Sequence, residues 1–178
     1  MRRDTVAAVV ALMLAAGTLT TMSAQSQGRR YSATLTPGQE NPALAAPGGG
    51  TITLDIDEGA GEVSYELSYS GLADVRQAHI HFEKPALNGG IMLWLCNSAT
   101  NPGPTPMTTP ACPPEAGTVT GTLISTDVRA IDAQRLSAGD FAAAVAQIRE
   151  GLTYANVHTG AHPGGQIRGQ IGQGGGHK

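Results

Sequence analysis

Two neighbouring segments of the chain alternate apolar and polar residues with a period of two. Residues 51–56 follow the order Thr-Ile-Thr-Leu-Asp-Ile, and residues 62–69 place a valine, a leucine and two tyrosines on one face. Successive side chains of a β-strand point to opposite sides of the sheet, so both segments are predicted to be strands with one buried face. Residues 57–61 between them contain two glycines, which favours a tight hairpin turn.

Short strands are also predicted along the rest of the chain. Six further segments have the length and the β-branched or aromatic content of strands: residues 31–35, 75–82, 91–95, 118–124, 154–159 and 166–171. About eight short antiparallel strands with frequent turns are typical of an all-β fold, a Greek-key-like sandwich or barrel.

One segment has the pattern of a short helix instead. Asp140 can cap the free N–H groups of a helix, and Gly151 can end it in the left-handed conformation. Phe141, Val145 and Ile148 then lie on one face with Ala144. We expect this helix to cover one end or edge of the sandwich.

The first residues have the plan of a secretory signal. Arg2 and Arg3 precede a stretch almost free of charge that runs to about Leu19, and Ala24 offers a small residue at a cleavage point. The chain is therefore predicted to have a signal peptide at 1–24, a flexible leader at 25–29, one domain at 30–171 and a disordered Gly-rich tail at 172–178. An uncleaved membrane anchor is the alternative for the first segment.

The charge of the chain disfavours two classes of partner. The full sequence has 11 Lys and Arg against 14 Asp and Glu. Nucleic acids need clustered cations, and a membrane surface attracts runs of Lys or Arg, neither of which is present. A secreted or periplasmic protein is expected, with no nucleic-acid partner and no membrane partner once the signal is cleaved.

The only two cysteines, Cys96 and Cys112, flank a Pro-rich stretch. An even number of cysteines in an exported chain predicts one disulfide that closes this loop. A regulatory redox pair is the alternative.

Four of the five histidines are candidate metal ligands. His79 and His81 lie two apart in a predicted strand, so both side chains point to one side of the sheet and can bind one ion. His158 ends a later strand and His162 follows it, whereas His177 falls in the tail. A structural role, with each imidazole bracing nearby carbonyls, is the alternative for all of them.

Several short motifs, taken together, resemble the CHRD (chordin-type) domain. The motifs are Gln39-Glu40-Asn41-Pro42, Gly71-Leu72, residues 78–81, Asn88-Gly89, residues 154–159 and residues 164–170. The resemblance implies an exported single-domain protein, which we expect to be a non-enzymatic binding module with an unknown protein or glycan partner. Gln166 departs from the glutamate that the family more often has there.

The chain also resembles, more weakly, the copper–zinc superoxide dismutase sandwich. By that resemblance His79, His81 and His158 match the histidines that bind copper alone, and Arg168 matches the arginine that attracts the anionic substrate. A bridging histidine and the zinc-loop cluster are missing from residues 82–117. The alternative function is therefore a copper-only redox enzyme with Arg168 as a catalytic residue, unless Arg168 only holds the last strand in place.

The donor types narrow the choice of metal. Three imidazoles without a thiolate or carboxylate suit copper or zinc, and the usual affinity order favours copper. Zinc is the less favoured ion, because no Asp or Glu in these motifs could serve as the general base of a hydrolytic site.

Overall fold

The computed structural model describes residues 29–101 and 109–173. It contains nine strands, one α-helix and three short 3-10 helices within these ranges. The strands are β1 (Arg29–Leu35), β2 (Gly49–Asp57), β3 (Glu62–Ser70), β4 (Val75–Phe82), β5 (Gly90–Asn97), β6 (Gly117–Leu123), β7 (Thr153–Thr159), β8 (Ile167–Gln170) and β9 (Gly172–Gln173). The predicted signal peptide, residues 25–28 of the leader and residues 174–178 of the tail lie outside the described residues.

The strands form two antiparallel sheets, which confirms the predicted all-β, sandwich-like fold. The five-stranded sheet has the order β6-β3-β2-β1-β9, and the four-stranded sheet has the order β5-β4-β7-β8. After β3 the chain crosses to the second sheet, forms the β4–β5 hairpin and returns as β6 beside β3. This return to a non-consecutive neighbour is the connection expected of a Greek-key-like fold.

Two predicted boundaries need correction. Gly172 and Gln173, which were assigned to a disordered tail, pair with Ser32 and Tyr31 as the short edge strand β9. Arg29, which was assigned to the leader, opens β1 opposite Ile56. These three residues extend the pairing of β1, because backbone N–H and C=O groups need partners along the full strand.

The apolar core lies between the inner faces of the two sheets. The alternation is confirmed over residues 52–56 of β2 and 63–69 of β3, where every second residue is buried. Val63, Tyr65, Leu67 and Tyr69 belong to this core. The second sheet contributes its own inward residues, which are Ala78, Ile80, Leu93, Ala155, Val157 and Ile167.

The two sheets meet along one edge close to the candidate site. Thr36, directly after β1, exchanges two backbone hydrogen bonds with Arg168 of β8, at N–O distances of 2.9 and 3.2 Å. This bridge fixes the backbone of Arg168 against the other sheet. The position from which the Arg168 side chain extends is therefore held in place.

Helix α1 (Phe141–Arg149) forms as predicted. The Asp140 carboxylate accepts a hydrogen bond from the Ala143 N–H at 3.0 Å, which satisfies one of the free donors of the first turn. Ala144, Val145 and Ile148 are buried in the core, and Gly151 has a φ of 69° just beyond the helix. The helix contacts β9 at the sheet edge, the position expected for it.

Cys96 and Cys112 form the predicted disulfide, with their Cα atoms 5.1 Å apart. Both cysteines are buried, and Cys112 also donates its N–H to the Asn97 carbonyl at 2.8 Å. The bridge therefore ties the end of β5 to the segment that leads into β6.

Candidate metal centre

The outer face of the four-stranded sheet carries polar side chains that are nevertheless buried. In β4, Ala78 and Ile80 enter the core, so His79 and His81 point to the opposite side. In β7 the core residues are Ala155 and Val157, which places Tyr154, Asn156 and His158 on that same outer side. Because β4 and β7 are hydrogen-bonded neighbours, the two groups meet.

His79, His81 and His158 come together as a triad. One nitrogen of each ring lies within 4.8 Å of one nitrogen of each of the others. Nδ1 of His79 is 3.2 Å from Nε2 of His158. Two nitrogens that share an ion at about 2.0–2.1 Å in a tetrahedral arrangement are roughly 3.3 Å apart, so this pair already has the spacing of two ligands.

Backbone carbonyls fix which nitrogen of two triad rings carries the proton. Nδ1 of His81 lies 3.0 Å from the Gly89 oxygen, and Nδ1 of His158 lies 3.0 Å from the Pro163 oxygen. A carbonyl oxygen only accepts, so both Nδ1 atoms are donors and both Nε2 atoms keep a lone pair. Such an outer hydrogen bond is how metal-binding histidines are commonly oriented.

The triad is closed to solvent and uncharged. His79, His81 and His158 are 0%, 7% and 6% exposed. Burial lowers the pKa of all three rings, to about 4 for His81, and the other histidines of the triad add to the effect for His79 and His81. Neutral imidazole is the form that binds a metal. Nε2 of His79 and Nε2 of His81 are buried without a hydrogen-bond partner.

Gly89, in the loop between β4 and β5, positions His81. A Cβ at Gly89 would lie 2.0 Å from the Phe82 oxygen, so only glycine lets this end of the loop approach the end of β4. The Gly89 carbonyl faces Nδ1 of His81, and the Gly89 N–H donates to the Tyr154 hydroxyl at 3.2 Å. One glycine therefore orients both a candidate ligand and the ring that stacks on it.

Tyr154 and Arg168 form a stack behind His81. The rings of Tyr154 and His81 are nearly parallel, with centroids 4.8 Å apart, and the guanidinium carbon of Arg168 lies 3.4 Å from the centroid of the Tyr154 ring. Arg168 is 2% exposed and donates to the Leu87 carbonyl at 2.7 Å and to the Asn88 side chain at 3.0 Å. These are the contacts of a bracing residue, and the catalytic role of Arg168 stays a prediction.

His162 is not brought into the triad. It follows β7 in a loop, where its N–H donates to the Thr159 hydroxyl at 3.1 Å. Its side chain is half-buried beside a surface groove that Glu40, Pro163 and Gly165 also line. The proposed fourth ligand is therefore separate from the three others in this arrangement.

A second polar contact holds a loop over the same face of the sheet. Asn156 donates to the Glu40 carboxylate at 2.6 Å and to the Ile167 carbonyl at 2.9 Å. Burial raises the pKa of Glu40, against the opposing effects of the Asn156 hydrogen bond and the Arg168 charge. A Cβ at Gly165 would lie 2.6 Å from the Asn156 amide, so this glycine leaves room for the contact.

Sequence reasoning did not connect two aromatic residues with the site. Trp94 is buried and lies opposite His79 on β5, with ring centroids 4.2 Å apart. Tyr154 belongs to one of the motifs that resemble the CHRD domain, and the sequence predicted no role for it. The period of two would have placed Tyr154 on the same face as His158, whereas the pairing of Trp94 with His79 depends on two register shifts in the β4–β5 ladder.

The comparisons with known proteins give one match. A family model described as the CHRD domain matches residues 31–171. The chain belongs to the CHRD domain family. No curated protein and no solved structure matches it. The match covers this CHRD domain from the third residue of β1 to the end of β8, with all the residues of the triad and its supporting loops.

The setting of the CHRD domain is compatible with export. CHRD domains occur in extracellular proteins, and a disulfide of the kind formed by Cys96 and Cys112 persists in oxidising compartments. Over residues 29–101 and 109–173, no helix has the length and apolar character needed to cross a membrane.

Proposed function

We propose that this CHRD domain is an exported binding module that holds one transition-metal ion through His79, His81 and His158. The observation that carries the proposal is the convergence of three neutral, buried imidazoles whose nitrogens lie within 4.8 Å of one another. Nδ1 of His79, Nε2 of His81 and Nε2 of His158 are the atoms that would bind the ion. Nε2 of His81 is buried without a hydrogen-bond partner, a cost that an ion would relieve.

The donor set indicates copper first and zinc second. The triad contains neither a carboxylate nor a thiolate, which disfavours magnesium and calcium. Copper stands above zinc in the affinity order for nitrogen ligands. On metal binding, the proton of His79 would move from Nδ1 to Nε2. The bonds of the ion to the two rings would then replace the hydrogen bond between His79 and His158.

We propose a binding role without turnover ahead of an enzymatic one. Arg168, the residue that would attract an anionic substrate, is buried behind Tyr154 and fully engaged with the loop at residues 87–88. A copper-dependent oxidoreductase similar to superoxide dismutase is the second candidate, because three imidazoles in one site are compatible with redox-active copper. A protein or glycan partner remains part of the proposal for the binding module.

Metal titration of the purified full-length chain tests this proposal. We expect one equivalent of copper to bind by calorimetry, and the His79→Ala/His81→Ala variant to lose it. His162→Ala is the matched control and should keep the wild-type stoichiometry, because His162 lies outside the triad. If no ion binds and the double variant is only less stable, the histidines brace the sheet and the proposal is wrong.

The proposed export has its own measurement. We propose that residues 1–24 are a cleaved signal peptide and that the mature protein is secreted or periplasmic. Mass spectrometry of the exported protein should find an N-terminus near Gln25. An N-terminus at Met1 in the membrane fraction would instead indicate the uncleaved anchor.

A further inference from the structure

Among the described residues, the triad offers three donors, and the aromatic residues that contact it supply no fourth. Tyr154 presents its ring to His81, while its hydroxyl accepts from the Gly89 N–H. Trp94 contacts His79, but an indole has only an N–H donor and no lone pair for a metal. Zn(II) sites favour four ligands and Cu(II) favours four in a tetragonal arrangement, whereas Cu(I) is stable with three.

No carboxylate of the described residues is hydrogen-bonded to a ring of the triad. The three ligands are neutral, and the charged group stacked beyond Tyr154 is the cation Arg168, 3.4 Å from the Tyr154 ring. Glu40, the carboxylate that contacts this face of the sheet, binds Asn156 and not a histidine. The energy of transferring an ion into a region of low dielectric rises with the square of its charge, so a dication is penalised roughly four times as much as a monocation.

Solvent supplies neither the missing fourth ligand nor the missing negative charge. The three imidazoles are almost completely buried, and loops at residues 37–47, 83–89 and 160–165 contact the residues around them. A water ligand, which would complete the coordination of Zn(II) or Cu(II), would have to be accommodated inside this cover. The number of donors, the local charge and the exclusion of water therefore all disfavour a dication relative to Cu(I).

We infer that the triad selects Cu(I) over Cu(II) and Zn(II), which makes this CHRD domain a carrier of reduced copper. The inference rests on the proposed function, because it assumes that the triad binds an ion. It goes further by naming the oxidation state and by giving the electrostatic and geometric reason for it. The ion is bound and released as Cu(I), so no electron transfer is required of the protein.

Competition titrations of the full-length chain test the inference. Cu(I) is measured anaerobically against a chromophoric Cu(I) chelator, and Cu(II) and Zn(II) are measured against chelators of their own. We expect the Kd for Cu(I) to be about 100-fold or more below the Kd for either dication. If Zn(II) or Cu(II) binds as tightly as Cu(I) and His79→Ala/His81→Ala abolishes the binding, this inference is wrong but the metal site stands. If no ion binds at all, the proposed function fails with it.

Removal of the positive charge of Arg168 gives a second test. Arg168→Gln should improve the affinity for Zn(II) relative to Cu(I) by about tenfold, since one unit of positive charge is lost roughly 8 Å from the ion. Arg76→Gln is the control, because Arg76 is an exposed cation on β4, the strand of His79 and His81, and pairs with Asp74. It should leave the ratio unchanged. An identical ratio in folded Arg168→Gln would contradict the electrostatic part of the inference.

Discussion

At the scale of single residues, burial and not a counter-charge keeps the triad neutral. His79 has no exposed surface, and no carboxylate is hydrogen-bonded to any of the three rings within the described residues. A protonated ring in this position would need a partner that the surroundings do not supply. The state that binds a metal is therefore also the state that the fold prefers.

The metal-free protein should lose stability in mild acid. The pKa of His81 falls from its ordinary value of 6.5 to about 4 in the fold, mainly because of burial. Above pH 6.5 the ring is neutral in both states, but below it the unfolded chain binds a proton that the folded chain does not. The free energy of unfolding should thus fall between pH 6.5 and 4, by about 3 kcal/mol for this residue.

Urea denaturation of the metal-free chain at several pH values between 7.5 and 4 checks this expectation. His81→Asn should show a shallower dependence on pH, while His162→Ala should keep the wild-type slope. A stability that is constant over this range would show that the triad does not resist protonation.

Gly89 should be sensitive to the addition of a single methyl group. Gly89→Ala would place its Cβ 2.0 Å from the Phe82 oxygen, so the loop must move away from His81 and Tyr154. We expect the free energy of unfolding to fall by about 1–3 kcal/mol and the affinity for copper to fall as well. Gly164→Ala is the control, because its Cβ would meet no atom within 4 Å. Equal unfolding midpoints for the two variants would contradict the role of Gly89.

At the scale of elements, irregular pairing around β4 helps to shape the site. The register of the β4–β5 ladder shifts twice, just before His79 and just after Ile80. Trp94 consequently lies opposite His79. Such irregularities re-aim side chains and are common beside functional sites. The partner of β4 on the other side, β7, supplies His158 through a ladder whose register is continuous from Gln77 to Phe82.

The disulfide should stabilise the connection between β5 and β6. Cys96 and Cys112 are 16 residues apart, and closing a loop of this size contributes about 3 kcal/mol in the chain-entropy model. A reductant should therefore lower the denaturation midpoint of the wild-type protein. Cys96→Ala/Cys112→Ala should start lower and not respond to the reductant. An unchanged wild-type midpoint on complete reduction would contradict this expectation.

At the scale of the whole molecule, the site belongs to the contact between one sheet and the loops that cover it. The cover is attached through the Gly89 and Pro163 carbonyls, the Glu40–Asn156 hydrogen bond and the contacts of Arg168 with residues 87–88. The contacts of Glu40 with Asn156 and of Arg168 with Leu87 join segments that are 116 and 81 residues apart in sequence. The triad can therefore keep its geometry only while the whole domain is folded.

Metal binding should consequently stabilise the entire domain. An ion that binds the folded state alone raises the free energy of unfolding by about 2.7 kcal/mol when its free concentration is 100 times its Kd. Thermal melts in increasing Cu(I) under anaerobic conditions should show a Tm that rises with concentration. The rise should vanish in His79→Ala/His81→Ala and persist in His162→Ala. A Tm that is independent of the ion would contradict coupling between the site and the fold.

The sequence by itself determined the class of the fold and part of the site. Local periodicity was sufficient for the alternating strands, for helix α1 with its cap at Asp140, and for the shared face of His79 and His81, because these features depend on neighbours within a few residues. The cysteine count predicted the Cys96–Cys112 bridge for a chemical reason that needs no geometry.

Only the tertiary structure decided which distant residues meet. His158 and His162 are only four residues apart, but the fold places His158 against His79 and leaves His162 outside the triad. The reason is that the ladder between β4 and β7 fixes one register. The fold also places Arg168 behind Tyr154 and Trp94 beside His79. Pairing registers, bulges and the paths of loops arise from the packing of the two sheets, and the local pattern of residues does not contain them.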